Sequence, residues 1–299
     1  MASPGLCYFN SSLPNLNSTR IFARSNNPKN VVVESARSYW TSMESEIEAY
    51  LKKAALSIRS PESVSEPMHH LTFAAAPRTT APALCLAACE LMSAKPGPSP
   101  SPAVLAAATA IHLVHAAAHV HAHLRRTGVG HRFGPNVELL IGDGMVPLGM
   151  ELLRRSMDPE DPNGNGDLIL RVMAEIARAG GARGVVDGVY SSDIARVCGE
   201  LHACGAACGA ILSGAADHED VERLRRFGRY VGMAQGSRQK KRSESEYECE
   251  CEYAALARRE IEWFQDRKKI HIADLMIDAI IDLSYNMDDY YLDRVWNIN

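Results

Sequence analysis

Aromatic residues supply only 6% of this 299-residue chain, and alternating runs of β-branched residues are scarce. Strands draw on both classes, so a sheet-based fold is disfavoured. Charge of one sign is also lacking: 36 acidic residues face 32 basic ones, for a formal net charge of −4. That balance predicts no nucleic-acid surface, and the basic run Arg238-Gln239-Lys240-Lys241-Arg242 leads straight into acidic residues, as a solvated loop would. No Gly-x-Ser-x-Gly elbow, phosphate-cradling Gly-rich loop or His-Glu-x-x-His motif occurs. No membrane span is expected, because the most apolar stretch, Ala103 to Val120, is interrupted by His112, His115 and His119.

The segment from Met1 to Val33 lacks Asp and Glu, carries Arg20, Arg24 and Lys29, and is rich in Ser and Asn. This is the composition of an organellar transit peptide, with a plastid favoured over a mitochondrion because Arg-rich amphipathic character is weak. A disordered N-terminus without an address is the alternative. The apolar core of a secretory signal is missing as well, so the eight cysteines are expected as thiols in a reducing compartment.

What the chain has in quantity is Ala, Leu, Glu and Arg in runs that suit helices. Trp40, Met43, Ile47, Tyr50, Leu51 and Ala54 recur at spacings of three and four and predict an amphipathic helix over Tyr39 to Ile58. Further helices are expected over Ala81 to Met92, Ala103 to Leu124, Val137 to Ser156, Leu168 to Ala179, Ser192 to Ala216, Val221 to Ala234, and Ala254 to about Leu283. A polar loop is expected to run up to Glu252. The order predicts an all-α bundle in one domain over 39–265, preceded by the targeting segment 1–38 and followed by a divergent helix and tail over 266–299.

Two repeats stand out, Cys85-Leu-Ala-Ala-Cys89 and Cys204-Gly-Ala-Ala-Cys208. Residues four apart share a helix face, so each motif puts both sulfurs on one stripe suited to helix contact. The spacing is not that of a zinc knuckle, and a disulfide within either pair would distort the helix. Gly205 and Gly209 predict a close backbone approach on the second of these helices. Cys249 and Cys251 fall in an acidic stretch and read as exposed. His115, His119 and His123 form a second stripe, but no carboxylate shares their helix.

The run from Met68-His-His-Leu-Thr-Phe through Arg78 to Leu91 resembles the small subunits of plant heterodimeric geranyl or geranylgeranyl diphosphate synthases, of the trans-prenyl diphosphate synthase family. Similar stretches are Ala110-Ile-His-Leu-Val-His115, Phe133 to Leu140, Gly142-Asp143-Gly144, Ile169 to Val172 and Gly199 to Leu212, with weaker likeness at Glu260 to Phe264. The resemblance implies an isoprenoid-synthase-type helical bundle whose active members hold Mg²⁺ on two Asp-rich motifs. Such ions stabilise the leaving diphosphate.

At the first of those positions this chain has Ala122 and His123 after His121, and at the second it has Gln235-Gly-Ser-Arg-Gln-Lys240. Arg125-Arg126, ahead of His131, does not restore the pattern. In the isopentenyl-binding pattern Arg78 stands for Lys and Ala81 for Arg, while Ala203 replaces the allylic-site Lys. The degenerate substrate site thus comprises Arg78, Ala81, His115, His121, Ala122, His123, His131 and Ala203, with no catalytic and no metal-ligating residue.

By resemblance the chain is a non-catalytic regulatory subunit in the plastid that pairs with a geranylgeranyl diphosphate synthase large subunit, modulates its activity and product length, and leaves Mg²⁺ to that partner. The resemblance assigns Cys85, Cys89, Cys204 and Cys208 to the association; the residues alone also allow small side chains in this chain's own core. Two alternatives stay open: an active prenyltransferase with displaced ligands such as Asp288, Asp289 and Asp293, and a helical protein binding metal through the histidine stripe.

Overall fold

A computed structural model describes residues 28–57, 60–76, 79–93, 99–157, 164–238, 244–264 and 276. Arg78, most of 1–38, the acidic tail at 288–293 and nearly all of 266–299 lie outside the described residues, as does the side chain of Cys249. The described residues form helices and contain no strand.

Helix α1 spans Pro28–Ser57, α2 Glu62–His70, α3 Ala81–Met92, α4 Pro102–Leu124 and α5 Pro135–Arg155. Then come α6 at Gly166–Gly180, α7 at Val185–Ser191, α8 at Ile194–Leu212, α9 at His218–Arg238 and α10 at Glu244–Glu262. Local chemistry sets several starts. Pro82, Pro102 and Pro135 occupy first turns, where a missing N–H costs nothing. The Ser101 hydroxyl accepts from the Val104 N–H at 3.4 Å, and the Asp193 carboxylate accepts from the Arg196 N–H at 3.2 Å.

Four boundaries differ from expectation. Helix α1 starts at Pro28 rather than Tyr39. Helix α2 occupies a stretch expected to be broken by Pro61 and Pro67: Pro61 caps it, and Pro67 sits inside it, buried, ahead of a wider π turn over Leu71–Ala75. Ser192, expected to open a helix, adopts φ 57° and separates α7 from α8. The loop expected up to Glu252 is instead the first part of α10.

Helix α4 is the axis of the bundle, packing against α1, α3, α5, α6, α7 and α8. By length and hydropathy it is apolar enough to cross a membrane, yet 89% of its most apolar window is buried inside the bundle, as for a core helix. Its core side chains are mostly Ala, each adding only about 0.8 kcal/mol on burial, so close approach and dispersion must make up the difference.

Helix α8 supplies that closeness on two sides. A Cβ at Gly205 would lie 2.2 Å from the Ala81 carbonyl oxygen of α3, and one at Gly209 would lie 2.1 Å from that of Cys85. On the other side the glycines belong to α9, where Cβ atoms at Gly228 and Gly232 would meet the His202 and Cys198 oxygens at 2.3 and 2.2 Å. The contact foreseen at Gly205 and Gly209 is therefore with α3. Larger side chains close the periphery: Trp40, Met43, Ile47 and Leu51 of α1, Phe227 of α9 and Ile261 of α10 join one continuous core.

Candidate functional site

Helices α3 and α8 bring the two cysteine motifs face to face. Cys85, Cys204 and Cys208 are buried within this chain, while Cys89 is half-buried. The Cys204 and Cys208 sulfurs lie 3.8 Å apart, a weak S–H···S hydrogen bond and no disulfide. Burial, reinforced by Cys89 and Cys204, pushes the Cys85 thiol well up; the contact with Cys204, then burial, does so for Cys208. Burial pushes Cys198 up to about 12. These are neutral, unreactive thiols acting as small apolar side chains. Cys89 lines a cavity of about 410 Å³ with Tyr39, Met43, Glu90 and Val104, across which the Tyr39 hydroxyl donates to Glu90 Oε2 at 2.8 Å.

A polar knot that the sequence did not announce crosses the same seam. His202 Nε2 lies 2.9 Å from the Thr80 hydroxyl, its Nδ1 lies 2.7 Å from the Cys198 carbonyl oxygen, and the Gln235 side-chain amide donates to Thr80 at 3.1 Å. Burial lowers the His202 pKa to about 4, so the ring is neutral. Ala81 and Ala203, at the degenerate substrate positions, are both buried with no donor to offer a diphosphate.

The other degenerate positions gather where α4 ends. His115 and His119 are buried, and burial, followed by His123 and Arg126, lowers His119 to about 4. His121 turns to α5, with Nε2 3.0 Å from Asp143 Oδ1, over Gly142, whose missing side chain leaves room for the ring. His123 turns the other way. Its ring meets that of His131 edge to face at 5.2 Å, and His131 Nδ1 lies 2.8 Å from Glu138 Oε2. Glu138, buried in the first turn of α5, also accepts from the Phe133 N–H at 3.3 Å.

These residues fit Mg²⁺ poorly. Ala122 is buried and carries no oxygen, His123 offers nitrogen to an ion that prefers carboxylate and water, and Gln235 is committed to Thr80. Arg125 donates to the Val189 and Tyr190 carbonyls of α7 instead of facing a substrate. Sequence reasoning named the histidines but missed Thr80, Glu138, Asp143 and Gln235, their partners across the fold.

An all-helical bundle with a long buried axial helix, at whose end the diphosphate-binding positions gather, has the isoprenyl diphosphate synthase fold. No protein-family model matches the chain. It is 38% identical over 269 residues to the chloroplastic heterodimeric geranylgeranyl pyrophosphate synthase small subunit 2 of Cannabis sativa, covering 80% of this chain and 91% of that one. It superposes with TM-score 0.71 and 43% identity on a deletion mutant of mint heterotetrameric geranyl pyrophosphate synthase, covering 82% of this chain and 99% of that one. The geranyl diphosphate synthase small subunit of Antirrhinum majus gives TM-score 0.70 and 46% identity, with 81% and 98% covered.

The chain belongs to the family of small subunits of plant heterodimeric geranyl and geranylgeranyl diphosphate synthases. The expected plastid localisation accords with relatives named chloroplastic.

Proposed function

We propose that this chain is a non-catalytic small subunit that pairs in the plastid with the large subunit of a geranylgeranyl diphosphate synthase and modulates that partner's activity and product length. The observation carrying this reading is the end of α4, where the positions for carboxylates hold a buried Ala122 and His123. Without hard oxygen ligands there, no cation supports a departing diphosphate, and carbon–oxygen cleavage loses its main stabilisation. The names of the relatives, heterodimeric and heterotetrameric synthases, support the need for a partner. No cofactor is assigned to this chain; Mg²⁺ belongs to the partner's site. The interface role of Cys85, Cys89, Cys204 and Cys208 is then largely indirect: three sulfurs set the spacing of α3 and α8, and Cys89 alone reaches an open cavity.

The test is turnover of purified protein given Mg²⁺, isopentenyl diphosphate and an allylic diphosphate. The chain alone is expected to be inactive, and adding a large subunit is expected to give activity whose product lengths differ from those of the large subunit alone. Turnover by the isolated chain rejects the reading.

A further inference from the structure

We propose that His123, His131 and Glu138 form a binding site for a divalent transition-metal ion of the zinc type. One ligand atom from each residue lies within 4.8 Å of the other two. In a tetrahedral zinc site with bonds near 2.1 Å, neighbouring ligand atoms stand ~3.4 Å apart, so the cluster needs only small side-chain rotations to close on an ion. Two imidazoles and one carboxylate are a donor set that selects zinc over magnesium or calcium.

The three groups come from separate parts of the fold. His123 is on the last turn of α4, His131 is in the connection, and Glu138 is in the first turn of α5. This differs from the histidine stripe of α4, where His115 and His119 are buried in the bundle and only His123 reaches the cluster. No carboxylate shares the histidines' helix in the chain, because Glu138 arrives only once the Gly134 turn folds α5 back along α4.

The surroundings favour an ion. Glu138 is 4% exposed and holds its carboxylate between the Phe133 N–H and His131, so one oxygen is already oriented by a backbone donor as metal-binding carboxylates commonly are. A buried anion beside two imidazoles gains from a divalent charge. The site opens on a cavity of about 270 Å³ that is also lined by His119, Arg126 and Arg132, leaving room for water or an anionic oxygen at a fourth position.

The experiment uses the full chain, tag-free and stripped with chelator, titrated with Zn²⁺ alone by calorimetry. Saturable binding of about one equivalent is expected, and His123→Ala, His131→Ala and Glu138→Gln should each weaken it about tenfold or more. His218→Ala, at the exposed start of α9, should leave it unchanged. Co²⁺ should give the visible bands of a tetrahedral complex, lost in His123→Ala. That variant, at a partly exposed position, decides the matter if the others fail to fold. Absence of saturable Zn²⁺ binding, or binding that persists unweakened in His123→Ala, overturns the proposal. Neither result bears on pairing with a large subunit, because no partner or diphosphate is present.

Discussion

His202 shows what a single buried ring contributes. Its folded pKa near 4 sits below the usual 6.5, because burial penalises the cation more than the Cys198 carbonyl and Gln235 favour it. Between these values the unfolded chain binds more protons than the folded one. The stabilising difference is thus fully present above pH 6.5 and is lost as pH falls towards 4, reaching on the order of 3 kcal/mol. Urea unfolding of wild type between pH 4 and 7 should show this acid limb, and His202→Gln should flatten it while lowering stability at pH 7. An unchanged slope would locate the acid sensitivity elsewhere. The meaning of His202 lies in Thr80, 122 positions away, and in Gln235, 155 positions from Thr80. No local pattern encodes such a meeting.

At the scale of elements, the seam of α3, α8 and α9 governs. With the Gly205 Cβ position 2.2 Å from a carbonyl oxygen, Gly205→Ala cannot be absorbed by a rotamer change and should cost at least about 2 kcal/mol. A thermal midpoint within a degree or two of wild type would contradict the packing. The sulfurs are expected to tolerate Ala better than Ser at Cys85, Cys204 and Cys208, because Ser buries a hydroxyl at a cost of roughly 1–3 kcal/mol. Co-purification with a large subunit should rank the variants in the same order.

Helices with proline at their start and a polar stop, such as α3 and α4, were legible from pattern alone. Helix α2 was not, because Pro67 reads as a breaker until its burial is known, and α7 went unseen between two expected helices because its seven residues are too few to show a helical period. Ion pairs tie the later part of α10 to α9: Arg223 and Arg226 of α9 both reach Glu260 of α10, and Arg223 stacks on Trp263 at 4.1 Å.

For the molecule as a whole, the axis is buried but several large apolar side chains are not. Leu140 of α5 is 70% exposed, Leu170 of α6 58% and Tyr190 of α7 77%, on three successive helices of one subunit. Where such side chains adjoin they mark contact surfaces. Replacing Leu140 and Leu170 together by Arg should leave helicity intact while reducing capture by a large subunit about tenfold or more. Undiminished capture would move the interface to another face. The bundle architecture was readable from spacing and resemblance; the exposed leucines were not, because periodicity cannot say which hydrophobic residues a monomer leaves uncovered.

The sealing of Cys85, Cys204 and Cys208 makes this chain its own clock. A maleimide offered to the folded protein can take Cys89 or Cys251 at once, whereas the hidden trio must wait until α3 parts from α8. The pace of their alkylation therefore measures how often that pair of helices breathes, and whether a bound neighbour holds it shut.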